Sequence, residues 1–380
     1  MHAYVFTDQA LMRQAGQFAW LSIDFDNPVN APFLERYKVE GVPNFLLIDP
    51  KTEQSVMSWY GTVTVAQLQQ MLEEKRAAAE KQSVGAPEKA MALADRLNAE
   101  SKYGEAAAAY RQALDAGGPQ WPNFARAAES LMLTYELSGD AAGGVKAAMD
   151  YVPKMPRGQS FVNAMRIAIL CASREKVPSA ADHRRRIRSL AEEALKVPEG
   201  LADDKAGIYL TLVSMARDSQ DAAEAEKWAR EAWGFLQKQT QTAPSAEARA
   251  SLDWARVTIA VQLKDPALAI PYLQTSEREL PEDFNPPVRL ATLYAQLNRL
   301  DDALAAYQRA LQKKVLGARR VSIMLSSVAV YEKKGDKAAA RNALEQALKA
   351  AEALPEKQAA RLVPKIKGQL ASYAAPEARK

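Results

Sequence analysis

The sequence predicts a mainly α chain: a solenoid of helix hairpins preceded by a small, incomplete α/β module. Three observations carry this. Apolar, β-rich runs are confined to the first eighty residues, alanine-rich helical periodicity takes over from about residue 88, and one helix-pair pattern recurs at a 34-residue spacing. At 380 residues the chain is too long for one ordinary compact domain. The expected organisation is a module over 1–82, a linker over 83–88 with Gly85 and Pro87 as breakers, and a repeat array over 89–375.

Composition excludes several function classes. With 48% hydrophobic and 25% charged residues the chain is of ordinary globular character, so disorder is not expected. Fifty Lys+Arg against 46 Asp+Glu leave a net charge of only +4, too little to imply a nucleic-acid partner. A single cysteine, Cys171, allows neither an internal disulfide nor a CxxC pair. With only His2 and His183 besides, no metal site is expected. No apolar run reaches the roughly 18 residues of a membrane span. The N-terminal MHAYVFTDQALM lacks the basic region and apolar core of a signal peptide. That favours the cytosol by default, or the periplasm if an upstream signal has been lost. No GxSxG, P-loop, HExxH or GxGxxG motif is present, and no catalytic residue or cofactor is assigned.

In the module, residues 18–25 (FAWLSIDF), 44–49 (NFLLID) and 54–60 (QSVMSWY) read as strands, with a turn at Asp49-Pro50-Lys51-Thr52 joining the last two into a hairpin. Helical stretches are expected at 8–15 and 30–37, and a longer helix starts at Thr64 as N-cap. The run from VFTD through Asp24-Phe25-Asp26, RYKVEGVPNFLLIDP, a hairpin and a closing helix resembles the C-terminal two-thirds of a thioredoxin-like domain. Gly41-Val42-Pro43 before a strand is its most specific piece. The resemblance implies a cis bond at Pro43 and a substrate groove formed there by Val42 and Pro43. It also implies that Met1-His2-Ala3 follows directly on the family's redox pair, which this chain lacks. The missing central strand would leave 18–25 and 44–49 to pair directly, to be covered by another element, or to belong to a longer protein.

In the array, PVRLATLYAQLNRLDDALAAYQRAL places Leu290, Ala291 and Tyr294, then Ala303, Tyr307 and Ala310, in the L-G-x-x-Y and A-x-x-x-F-x-x-A pattern. Ala269 and Leu273 lie 34 residues before Ala303 and Tyr307, and Pro281 closes that unit. Further units carry Tyr331, Gly335-Asp336, Ala340, Leu344 and Ala347, and upstream Leu93, Leu97, Tyr103, Ala106, Tyr110 and Ala113. These stretches resemble tetratricopeptide repeats, although Pro287 stands where tryptophan is typical. Five to seven helix pairs are expected, the stretch 157–197 having no clean signature.

The resemblance implies a concave groove that binds an extended peptide or helix, hence a protein or peptide partner. Its inward places fall at Leu210 and Ser214, Trp254 and Thr258, Val288 and Thr292, and Leu325 and Ala329. None is Lys or Asn, so the family's carboxylate clamp is not expected. The candidate groove comprises Trp254, Thr258, Val288, Thr292 and Gln296, with Trp254 either an interface anchor or a residue packed between repeats. The basic run His183–Arg188 reads as a solvated helix face, and Cys171 as a buried structural thiol. Asp203-Asp204 and Asp301-Asp302 read as N-capping residues. The function expected is a protein-interaction scaffold, chaperone-like in kind. The alternative is a shortened thiol-disulfide oxidoreductase whose array recruits substrates.

Overall fold

A computed structural model describes residues 5–6, 8–14, 16–39, 41–79, 85–177 and 179–374. Met1-His2-Ala3 and the first two residues of the expected linker, 83–84, lie outside the described residues. The chain divides into two compact units, one of residues 1–20 and 35–241, the other of 21–34 and 242–380.

The first unit opens with a 3-10 helix, Gln9–Gln14, and a hairpin of β1 (Asn44–Ile48) and β2 (Ser55–Tyr60), between which α1 (Ala31–Arg36) begins in the other unit's segment. The strands pair antiparallel, Asn44 with Tyr60 through Leu47 with Met57, with a register shift after Leu47. The turn forms where the sequence places it: Asp49 Oδ1 accepts from the Lys51 amide at 2.8 Å, and Asp49 N donates to Gln54 O at 3.0 Å. Strand alternation sends Met57 and Trp59 inward with Phe45 and Leu47, onto Val63, Leu68, Met71 and Leu72. These last four belong to the loop and helix that follow. That helix, α2 (Val65–Ala79), starts with a reciprocal capping box: Gln67 N donates to Thr64 Oγ1, and Thr64 N donates to Gln67 Oε1.

The expected strand at 18–25 does not form. Phe18 makes an isolated bridge, and the rest is irregular, with a turn at Phe25-Asp26. A strand needs a ladder partner, and among the described residues the sheet consists of β1 and β2 alone. The Val42–Pro43 peptide is cis. The apolar hairpin face is covered by helix, since β2 packs on the first helix of the array.

Four helix pairs follow in this unit: α3 (Ala86–Ala99) with α4 (Tyr103–Gly117), α5 (Phe124–Ser138) with α6 (Ala141–Tyr151), α7 (Gln159–Arg174) with α8 (Ala180–Leu195), and α9 (Ala202–Asp218) with α10 (Ala222–Thr242). The second unit holds three more. Its first pair has a broken leading helix, α11 (Ala246–Ala250) and α12 (Asp253–Gln262), with α13 (Ile270–Glu279). Then come α14 (Asn285–Gln296) with α15 (Leu300–Gln312), and α16 (Gly317–Lys334) with α17 (Lys337–Glu352). The amphipathic α18 (Glu356–Ala374) closes the stack by burying Ile366 against Val321, Val328, Leu344 and Ala347. Seven pairs among the described residues is the top of the expected range.

One turn recurs between the two helices of a pair. Ser101, Gly139, Gln220, Lys264, Asn298 and Gly335 each adopt a left-handed φ, between 58° and 82°. The next residue's amide then closes the helix end: Lys102 to Leu97 O, Asp140 to Tyr135 O, Asp221 to Ala216 O, Asp265 to Ala260 O, Arg299 to Tyr294 O and Asp336 to Tyr331 O, all at 2.8–3.0 Å. Asp140, Asp221 and Asp336 also cap the helix that follows. Close approach of small residues sets the packing within pairs and beyond: a Cβ on Gly144 in α6 would lie 2.5 Å from Cys171 Sγ in α7. Among the described residues no helix is long and apolar enough to cross a membrane.

Candidate functional site

The recurring turn supplies a common register for the first helices of the pairs. Six residues before each closing carbonyl stand Met91, Glu129, Leu210, Trp254, Val288 and Leu325; two residues before it stand Asp95, Leu133, Ser214, Thr258, Thr292 and Ala329. Residues four apart on a helix share a face, so each pair of positions marks one helix face. The four sequence-predicted pairs therefore fall in one register. Asp95 and Glu129, which sequence reasoning passed over, fall in the same register in the first two hairpins.

In the first unit this face is occupied by the chain itself. Asp95 of α3, 2% exposed, accepts from Lys75 of α2 at 2.7 Å, from Arg126 of α5 at 2.9 Å and from the Tyr110 hydroxyl at 2.7 Å. Burial alone would raise its pKa. The charges of Arg126 and then Lys75 outweigh that and hold it at about 2. Along the same face, Gln70 donates to Asn123 at 2.7 Å and Gln67 to Ser160 at 3.0 Å.

Beyond these, two carboxylates lie at the seam. Thr62 Oγ1 and Gln159 Nε2 both donate to Asp204 Oδ2 at 2.6 Å. Asn163 Nδ2 donates to Glu129 Oε1 at 2.8 Å and reaches Thr62 O at 3.5 Å. Glu129 Oε2 has no hydrogen-bond partner among the described residues. Burial pushes Glu129 up to about 8, against the hydrogen bonds of Ser160 and Asn163, and burial followed by the charge of Asp203 pushes Asp204 up to about 6. Asp204 is thus a buried seam residue and not the N-cap expected of it; α9 has no side-chain cap. A cavity of about 70 Å³ remains at this seam, lined by Trp59, Gln67, Gln70, Met71, Arg126 and Ser160. It is far below the size of a cofactor pocket.

In the second unit the register carries different chemistry. Trp254 is 58% exposed, which removes the reading that it packs between repeats. Thr258 is half-buried and donates to Trp254 O at 2.9 Å; Val288 is half-buried; Thr292 is exposed and donates to Val288 O at 3.1 Å; Gln296 is exposed. Both threonine hydroxyls spend their donors on their own helices and keep only acceptor capacity. α12 and α14 pack against each other, so the five residues lie on neighbouring helices. Beneath Trp254, Asp253 and Arg256 form a buried ion pair; Arg256 also donates to Arg249 O at 2.8 Å and lies 5.0 Å over the Tyr272 ring. This pair fixes the start of α12 and thus the backbone that carries the tryptophan. Leu325 packs into the α16–α18 core, and Ala329 is exposed. Residues 21–34 meet this unit at the start of α16: Asp26 lies 3.8 Å from Arg319, and a Cβ on Gly317 (φ +57°) would strike the Asp26 carbonyl.

The remaining candidates sit apart. Val42 is 65% exposed beside Pro43. His183 is held by Glu175 at 2.9 Å, Arg185 by Asp182 and Arg188 by Glu224, so the basic run is laced with acidic partners. Cys171 is buried, and burial pushes its thiol up to about 12, far from a reactive thiolate. Asp302 pairs with Arg299, and Asp301 with Lys334. Among the described residues no group of three or more His, Cys, Asp or Glu side chains is arranged for a metal ion.

A family model described as tetratricopeptide repeat matches residues 288–312 and 324–354. No curated protein sequence matches the chain. Similar solved structures include PilF of Pseudomonas aeruginosa, at 14% identity over 65% of this chain and 98% of that one, with a TM-score of 0.37. They also include Acl4, an assembly chaperone of RpL4, at 14% identity over 76% and 98%, TM-score 0.41, and yeast Tom70, at 14% identity over 80% and 72%, TM-score 0.40. The chain is mainly helical and carries tetratricopeptide repeats at 288–312 and 324–354, a type of unit that typically serves protein–protein interaction.

Proposed function

We propose that this chain is a non-catalytic protein-interaction scaffold that holds an extended segment of a protein partner against the first-helix face of its second unit. The observation that carries the reading is Trp254: a large amphipathic ring, more than half exposed, on a backbone fixed by a buried ion pair. Exposed tryptophans on rigid supports are the residues that dominate interface energetics. The surroundings of Val288, Thr292 and Gln296 supply a mildly apolar surface with acceptors and one amide, suited to main-chain recognition without demand for a charged partner. That chemistry favours unfolded clients over a single charged motif, and so a chaperone-type holder. The hairpin segment is read as thioredoxin-like, with Val42 and Pro43 offering a second docking point.

The test is a titration of fluorescein-labelled, reduced and carboxymethylated α-lactalbumin, a permanently unfolded client, followed by anisotropy. Trp254→Ala is expected to weaken binding by roughly 30-fold, the effect of losing one interface hot spot, while thermal unfolding is unchanged because the side chain is exposed. Equal affinity of the two proteins would remove Trp254 from the site.

A further inference from the structure

We infer that the segment β2–α2 is a displaceable plug on the first-helix face of α3, α5, α7 and α9, released when the carboxyls of Glu129 and Asp204 ionise. The inference stands on a part of the molecule that the Trp254 reading does not use.

The seam has two halves of opposite character. At one end Asp95 is compensated: Lys75 and Arg126 both reach it, so its charge is neutralised in place. At the other end Glu129 and Asp204 are met by Thr62, Asn163, Gln159 and Ser160, all of them neutral. Glu129 is 4% exposed and Asp204 is 7% exposed. Burying uncompensated charge is far costlier than burying a neutral polar group, so this half is stable only while the acids hold their protons.

Each element packed against the pair brings its own charged groups. α7 contributes Arg166, whose side chain lies over Gly207 of α9, one turn beyond Asp204; it attracts both carboxylates but is no hydrogen-bond partner of either. α9 contributes Asp203, which repels Asp204, and Lys205, whose ammonium is spent on Val197 O. α5 contributes Arg126, already engaged by Asp95. The hairpin side contributes Thr62, with no charge. Arg166 alone thus faces two acids, and burial prevails: Glu129 sits at about 8 and Asp204 at about 6.

The sign follows from linkage. An acid with a raised pKa in the docked state binds its proton more tightly there than when exposed, so docking is strongest below the ordinary carboxylate range. Docking weakens as pH rises through about 6 for Asp204 and about 8 for Glu129. Release uncovers a face carrying Asp95, Glu129 and Asp204 with Arg126 and Arg166, so the surface made available at higher pH is acidic by one net charge.

Hydrogen–deuterium exchange of the full chain at pH 6.0 and 8.5, corrected for the intrinsic pH dependence of amide exchange, tests this. Amides of residues 55–79 are expected to lose protection by on the order of tenfold or more at pH 8.5, while those of α16 and α17 keep theirs. Glu129→Gln with Asp204→Asn, which keep the shapes and remove the titration, is expected to abolish the pH effect. Thr62→Val, which deletes a donor to Asp204, is expected to lower the pH at which protection is lost and reads the same equilibrium should the double variant not fold. Protection of 55–79 that does not change with pH, that changes equally in the double variant, or that is lost together with that of α16 and α17 would overturn the inference.

Discussion

At the scale of single residues, the same chemical group does opposite things according to its partners. Asp95 and Glu129 occupy the same face of adjacent first helices and are both buried, yet one is held at about 2 and the other at about 8. The difference is that Arg126 and Lys75 bond the first directly, whereas the second is bonded by neutral groups and only attracted by Arg166. Asp95→Ala would leave two cations facing a buried site without a counter-charge, and a loss of about 3–5 kcal/mol is expected in urea unfolding. The same residue predicts an acid limb. Its pKa is lowered in the folded chain, so its contribution is complete above the ordinary value of 3.8 and is lost as pH falls toward about 2. A urea-midpoint series from pH 5 to pH 2 is expected to fall in the parent and to be flatter in Asp95→Ala. None of this was visible in the sequence. Neither Asp95 nor Glu129 is marked by its neighbours in sequence, because the groups that engage them come from segments tens of residues away. The signal that would have found them is the repeat register carried upstream, which lands both acids on positions that face inward.

At the scale of elements, what is local was legible and what needs a remote partner was not. The Asp49 turn, the Thr64 cap and the helix-pair pattern all depend on residues within a few positions of one another, and all stand in the structure. The strand expected at 18–25 depends on a neighbour to pair with, and residues 21–34 pack with the second unit instead. The turns between paired helices show a further limit. Gly139 and Gly335 announce a left-handed residue, whereas Ser101, Gln220, Lys264 and Asn298 adopt it without glycine, forced by the closing hydrogen bond that each repeat requires. Each such non-glycine residue stores strain of about 1 kcal/mol. Lys264→Gly or Gln220→Gly is therefore expected to raise stability by about that amount in denaturant unfolding. A fall would mean that these turns are not under strain.

At the scale of the whole molecule, one repeated face is used in two ways. In the first unit it carries Asp95, Arg126, Glu129, Asn163 and Asp204 and is filled by the chain's own hairpin and helix; in the second it carries Trp254, Val288, Thr292 and Gln296. The helical array was legible because its period is written into the sequence many times over. The hairpin segment's docking is written once, in polar residues scattered over about 140 positions. The central claim is that the face bearing Trp254 holds a partner segment. Its most direct test is photo-crosslinking from p-benzoylphenylalanine placed at Thr292 or Gln296, with Gln308 on the exposed side of α15 as the control, in the presence of reduced carboxymethylated α-lactalbumin. Adducts from 292 and 296, and none from 308, are the predicted result. Adducts of equal yield from all three positions, or from 308 alone, would contradict it.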